Sequence, residues 1–170
     1  MKIDQNRYYH IYNRGNNKNI VFFEPSDYLY FLHQFEKYLF NSCEIYAYCL
    51  MPNHFHFFLK VTNKIDFDKK IKNFFISYSR TINLKYNRVG SLFQGRYKVQ
   101  EIDLAAYFTR VITYIHQNPL IAGLVNHLED YKYSSYALYL NQKPCMLNKT
   151  EIIAWFGHID GFISDHQILC

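Results

Sequence analysis

The stretch Met-Pro-Asn-His-Phe-His-Phe-Phe-Leu-Lys-Val at 51–61 constrains the fold most. After the turn at Pro52-Asn53, histidines and apolar residues alternate with period two, the pattern of a half-buried β-strand. Residues i and i+2 of a strand point to one face, so His54 and His56 project side by side from one surface of a sheet. Two adjacent imidazoles make half of a metal site. The competing reading of the same pattern is a pair of partly buried, hydrogen-bonded histidines with no ligand.

The remaining elements follow from periodicity. Residues 8–14, Tyr-Tyr-His-Ile-Tyr-Asn-Arg, read as a first strand ending at Gly15, with a polar loop after it. Pro25, Ser26 and Asp27 open a helix whose apolar residues recur at 28, 31, 32, 35 and 39. A strand over about 44–49 leads into the histidine strand. A helix over about 67–86 carries the stripe Phe67, Ile71, Phe74, Phe75, Tyr78 and Ile82. Residues 93–100 read as a fourth strand, and Asp103 is the expected cap of a helix over about 104–118. Pro119 should stop that helix. Leu104, Phe108, Val111, Ile112 and Ile115 should pack on the sheet, with Tyr107, Arg110, Tyr114 and Asn118 forming a neighbouring stripe. The order β-α-β-β-α-β plus an extra helix predicts an α+β, ferredoxin-like (split β-α-β) antiparallel sheet with helices on one face. The other face is then open for a ligand. Residues 1–140 read as one domain and 141–170 as a short helical tail.

Charge and composition narrow the partners. The chain carries a net charge of +5, and residues 64–98 hold nine basic residues against Asp66 and Asp68. Such an excess suits a polyanion, although a solvated helix face reads the same way. The 17 Tyr and 15 Phe include rings that can line a surface rather than fill a core. Cys43, Cys49, Cys145 and Cys170 show no Cys-x-x-Cys spacing, as expected of reduced thiols. No run of 18 apolar residues and no signal-like start is present, so a cytoplasmic protein without a membrane partner is expected.

Four motifs occur in order: Tyr-His-Ile-Tyr-Asn-Arg-Gly at 9–15, Met-Pro-Asn-His-Phe-His at 51–56, Gly-Ser-Leu-Phe-Gln-Gly-Arg-Tyr-Lys at 90–98, and Tyr-Ile-His-Gln-Asn-Pro-Leu-Ile-Ala-Gly-Leu-Val at 114–125. Over about residues 8–140 the chain resembles the IS200-like single-tyrosine transposases of the His-hydrophobic-His superfamily. Within them it is most similar to the bacterial branch associated with repetitive extragenic palindromes (REP). The resemblance implies that His54 and His56 are the metal pair, Asn118 the third ligand and Tyr114 the nucleophile. His116 and Gln117 stay outside the ligand set. It also implies Mg²⁺ or Mn²⁺ as cofactor, single-stranded or hairpin DNA as substrate, a 5′-phosphotyrosine intermediate, and a monomer or homodimer. Arg14, Arg96 and Lys98 are candidate DNA contacts. Two other readings compete with this one. A non-catalytic ferredoxin-like nucleic-acid-binding module has no use for a histidine pair facing a tyrosine. A metallohydrolase attacking with metal-activated water needs no tyrosine.

Overall fold

The computed structural model describes residues 3–141 and 145–168; parts of the expected 141–170 tail therefore lie outside the described residues. The chain runs β1 (Tyr8–Arg14), α1 (Pro25–Leu39), β2 (Cys43–Met51), β3 (His54–Val61), α2 (Lys64–Lys85), β4 (Lys98–Glu101) and α3 (Phe108–Ile121). Three short helices follow: α4 (Tyr136–Tyr139), α5 (Lys149–Trp155) and α6 (Ile159–Gln167). The sheet order is β2-β3-β1-β4 with every neighbour antiparallel, the split β-α-β arrangement that the element order predicts.

The two faces of β3 divide the molecule. Phe55, Phe57, Leu59 and Val61 are fully buried, with Phe55 touching rings of both α1 and α2 and Phe57 rings of α1. Phe35 stacks on Phe57 at 4.1 Å between ring centres, and Phe31 meets Phe74 edge-on at 4.9 Å. Both predicted stripes therefore do what their 3.6-residue period requires. Asn63 caps α2, its side chain accepting from the Asp66 N–H, which starts the helix three residues earlier than expected. At the entry of α1, the buried Asp27 carboxylate accepts from the backbone N–H groups of Phe23 and Glu24, from the Tyr86 hydroxyl and from the Lys85 ammonium. Burial alone would raise its pKa, but the Lys85 bond and the other donors outweigh that and hold it below the usual range. Asp27 thus ties the start of α1 to the end of α2.

The opposite face carries His54, His56 and Phe58. α3 lies chiefly across β2 on this face. Phe108 packs against Tyr8 at 4.4 Å and Trp155 at 4.8 Å, and Trp155 stacks on Tyr46 at 4.9 Å. The segment after α3 is stitched to the edge of β2. Leu50 N–H donates to the Tyr133 carbonyl, the Tyr131 hydroxyl donates to the Leu50 carbonyl, and Ser135 Oγ accepts from Tyr48 N–H. An edge strand with unpaired backbone is a liability, and this segment covers it.

Three expectations are corrected. Only Lys98–Glu101 pairs as a strand; residues 93–97 form a loop joined to the sheet by a bridge between Gly15 and Phe93. Gly95 sits at φ +76°, a left-handed conformation that ends the ladder, and its carbonyl accepts from Asn13 Nδ2. Asp103 caps nothing: a 3-10 turn over Ala105–Tyr107 precedes α3, and Leu104 is 55 % exposed rather than packed. Finally, Pro119 lies inside α3, which continues to Ile121. Proline deprives the Ile115 carbonyl of its helical donor. Asn118 Nδ2 lies 3.5 Å from that oxygen and donates at 2.7 Å to the Tyr114 carbonyl, so a side chain bridges the break. Tyr114 and Asn118 accordingly sit within the helix, not at its end.

Candidate functional site

β3 supplies the histidine pair and β1 runs beside it. The register sets Tyr12 opposite His56 and Arg14 opposite His54. Opposed residues of an antiparallel pair share a face, so Tyr8, His10, Tyr12 and Arg14 point the same way as His54 and His56. On the far side of β1, Lys98 is opposite Tyr12. α3 then brings Tyr114 over this surface, its ring 5.6 Å from that of His56 and 6.1 Å from that of His10, edge-on to both. Tyr12, Asn13, Arg14, His54, His56, Gln94, Lys98 and Tyr114 line an open cleft of about 480 Å³.

Each candidate ligand is oriented by a neighbour. His54 Nδ1 is 2.6 Å from Asn53 Oδ1, and its Nε2 is 3.5 Å from Asn118 Oδ1. The two Asn118 Nδ2 bonds within α3 leave its Oδ1 turned toward His54. His56 Nδ1 is 2.8 Å from His10 Nε2. The two rings of the pair are perpendicular, 5.1 Å apart.

Electrostatics keep these imidazoles neutral. Burial lowers the pKa of His54; the Asn118 contact opposes the shift, and the Arg14 charge adds to it. Burial, with the neighbouring His10 and His54, lowers His56 to about 2, and burial lowers His10 to about 4. Neutral imidazole is the metal-binding form.

Two imidazoles and one carboxamide oxygen fit a divalent cation that keeps open positions for substrate oxygens. No cluster of three or more His, Cys, Asp or Glu side chains suited to a metal exists among the described residues, so this mixed nitrogen-and-amide set is the arrangement to weigh. Cys43 is buried at the start of β2, its thiol donating to the Leu39 carbonyl at the end of α1, and the buried Cys49 stands opposite His56 in the β2–β3 register.

The other expected residues divide. Arg14 and Lys98 line the cleft with Tyr114. Arg96 does not: it lies over the Tyr97 ring and lines a second cavity, behind the 93–97 loop. His116 and Gln117 turn away from the cleft into the body of the protein. Gln117 Nε2 donates to the carbonyls of His166 and Ile168, while His116 bridges Ser135 Oγ at 2.7 Å and His166 Nε2 at 2.8 Å. Five residues of the site escaped sequence reasoning: His10, Tyr12, Asn13, Asn53 and Gln94. The first two were within reach, because the alternation Tyr8, His10, Tyr12, Arg14 in β1 mirrors that of β3.

A protein-family model described as "Transposase IS200 like" matches residues 4–118. Among solved structures, the chain is similar to a REP-associated tyrosine transposase bound to a REP hairpin. That likeness has a TM-score of 0.68 and 18 % identity, covering 85 % of this chain and 86 % of the other. A weaker likeness is to a protein from Deinococcus radiodurans R1 described as a candidate transposase, with a TM-score of 0.46, 16 % identity, and coverage of 68 % of this chain and 95 % of the other. No curated protein matches the chain. No helix among the described residues is long and apolar enough to cross a membrane. The family match takes in β1 through most of α3, and with it every side chain of the cleft: the chain belongs to the IS200-like transposase family.

Proposed function

We propose that this protein is a metal-dependent single-stranded DNA endonuclease and strand transferase that cleaves beside a DNA hairpin, with Tyr114 as nucleophile. The observation that carries the reading is one of position. Tyr114 shares a cleft with His54 and His56, and Asn118, one turn further along the same helix, turns its oxygen to His54. Binding modules have no need of such a grouping.

The chemistry asks for a nucleophile in line with the leaving oxygen and for compensation of phosphoryl charge. His54, His56 and Asn118 would hold the divalent ion, Mg²⁺ or Mn²⁺, which when bound neutralises charge on the scissile phosphate. Tyr114 Oη attacks phosphorus as its proton passes to solvent, and the bond from phosphorus to the 3′ oxygen breaks. The products are a 5′-phosphotyrosine and a protonated 3′-hydroxyl. The covalent ester conserves the bond energy for attack by a second 3′-hydroxyl, which rejoins the strand and frees the tyrosine. Tyr114 is 43 % exposed, as a group that must meet a polymeric substrate requires. Arg14 and Lys98, flanking it in the cleft, supply phosphate contacts. Tyr12, on the cleft floor, offers a face for an unpaired base. A hairpin substrate is favoured by the fold shared with the REP-associated relative, whose structure holds one.

The test is a labelled hairpin oligonucleotide with a single-stranded flank, incubated with Mn²⁺ and run on a denaturing gel. A covalent adduct is expected from the native protein and none from Tyr114→Phe, which should still bind the DNA. Nicking by Tyr114→Phe would transfer the reaction to metal-activated water.

A further inference from the structure

The chemistry proposed above leaves one buried polar group beside the histidine pair without a task. His10 is 7 % exposed and belongs to no expected ligand set. Its Nε2 lies 2.8 Å from His56 Nδ1. Its ring is fixed on several sides: Tyr12 at 4.9 Å, the His56 ring at 5.0 Å and nearly parallel, and Tyr114 edge-on at 6.1 Å.

The contact matters because it is made by the Nδ1 atom of His56. A neutral imidazole has one protonated and one bare nitrogen, and only the bare one binds a metal. His54 faces the same choice, and its Nδ1 is 2.6 Å from Asn53 Oδ1, an atom that can only accept. That bond places the His54 proton on Nδ1 and leaves Nε2 bare, toward Asn118. For His56 the partner is another imidazole, and either tautomer would satisfy a 2.8 Å bond. With the proton on Nδ1, His56 presents a bare Nε2; in the opposite sense Nε2 carries the proton and the ring is closed to a cation.

We propose that His10 is a positioning residue whose Nε2 accepts the Nδ1 proton of His56, holding the ring in its metal-competent tautomer as Asn53 holds His54. The inference rests on the reading of His54, His56 and Asn118 as ligands. A partner on the far nitrogen of a ligating histidine fixes ring orientation and raises basicity, and its loss costs roughly 10–100-fold in metal affinity. Unlike Asn53, His10 is a strand residue with little freedom to turn away, so β1 and β3 together present the pair ready-formed.

Two measurements test the assignment. Long-range ¹H–¹⁵N NMR of the metal-free native protein reads the His56 tautomer directly; the Nδ1–H form is expected, and an Nε2–H form overturns the proposal. Mn²⁺ titration, followed by the EPR signal of the free ion, then compares native protein, His10→Phe and His10→Gln. A loss of about 10–100-fold is expected for His10→Phe. Substantial recovery is expected for His10→Gln, whose Oε1 can occupy the site of the lost nitrogen as an acceptor. Equal affinity in all three proteins removes His10 from the metal site while leaving the ligand reading intact. Absence of Mn²⁺ binding by the native protein defeats that reading, and this proposal with it. Should His10→Phe fail to fold, the native tautomer and the His10→Gln titration still decide.

Discussion

Replacing Asn118 with alanine separates its helical task from the proposed metal task, because a different atom serves each. Nδ2 serves the helix, donating at 2.7 Å to the Tyr114 carbonyl beside the gap opened by Pro119; Oδ1 faces His54. One neutral, partly exposed hydrogen bond contributes about 0.5–1.5 kcal/mol net. Alanine returns up to about 0.7 kcal/mol in helix propensity. The net loss of stability is therefore about 0–1 kcal/mol, which for a chain of this length lowers Tm by no more than about 4 °C. The cost to metal binding is larger. Losing an outer-shell partner already costs about 10–100-fold, so on the proposed ligand role, losing the oxygen that would hold the ion should cost at least about 1.4–2.7 kcal/mol. The assay pairs a thermal melt without metal with a Mn²⁺ titration by calorimetry. A nearly native melt with at least tenfold weaker binding is expected. Unchanged Mn²⁺ affinity would refute the role of Oδ1, and a Tm loss of about 10 °C would show that the helix depends on Asn118 far more than one bond allows.

Two further outcomes follow from charge. His166 is buried, and burial lowers its pKa to about 4 from an ordinary 6.5; its Nδ1 is bonded to the Phe162 carbonyl and its Nε2 to His116. Its contribution is fully present above pH 6.5 and is lost as pH falls toward 4, because the unfolded chain takes up a proton that the folded one refuses. Urea melts should therefore show stability falling by roughly 3 kcal/mol over that window from this group, and His166→Phe should flatten the slope. In DNA binding, Lys98→Ala should weaken affinity for all sequences and lower the slope of log K against log salt by about one unit; an unchanged slope would show that Lys98 meets no phosphate.

The sheet and both covering helices were legible because each writes a strong period. Phe67, Phe74, Tyr78 and Ile82 could lie only on one stripe, and they are fully buried. The segment 93–97 misled because its aromatic residues resemble a strand, while its fate depends on Gly95 and on a side chain 82 residues away, Asn13. Pro119 misled for a similar reason. Its local rule is sound, but Asn118 compensates for it through atoms that a linear reading treats as free for other work. The candidate site residues His54, His56, Tyr114 and Asn118 could be named from motif and resemblance. Of the neighbours that orient them, Asn53 adjoins His54 in the sequence and His10 falls on the right face by the alternation of β1, but the contact of His10 with His56 depends on the register of β1 with β3, which no local pattern fixes.

Tyr114 and the histidine pair come together from one polypeptide, the tyrosine helix packing on its own sheet. In an enzyme whose catalytic groups are traded between copies, two differently crippled variants restore one another when mixed. On the proposed roles of these residues, a site assembled within one chain should let each copy succeed or fail by itself: a mixture of Tyr114→Phe and His56→Ala protein should stay as inactive as either alone, and a crippled copy should neither rescue nor poison its neighbours.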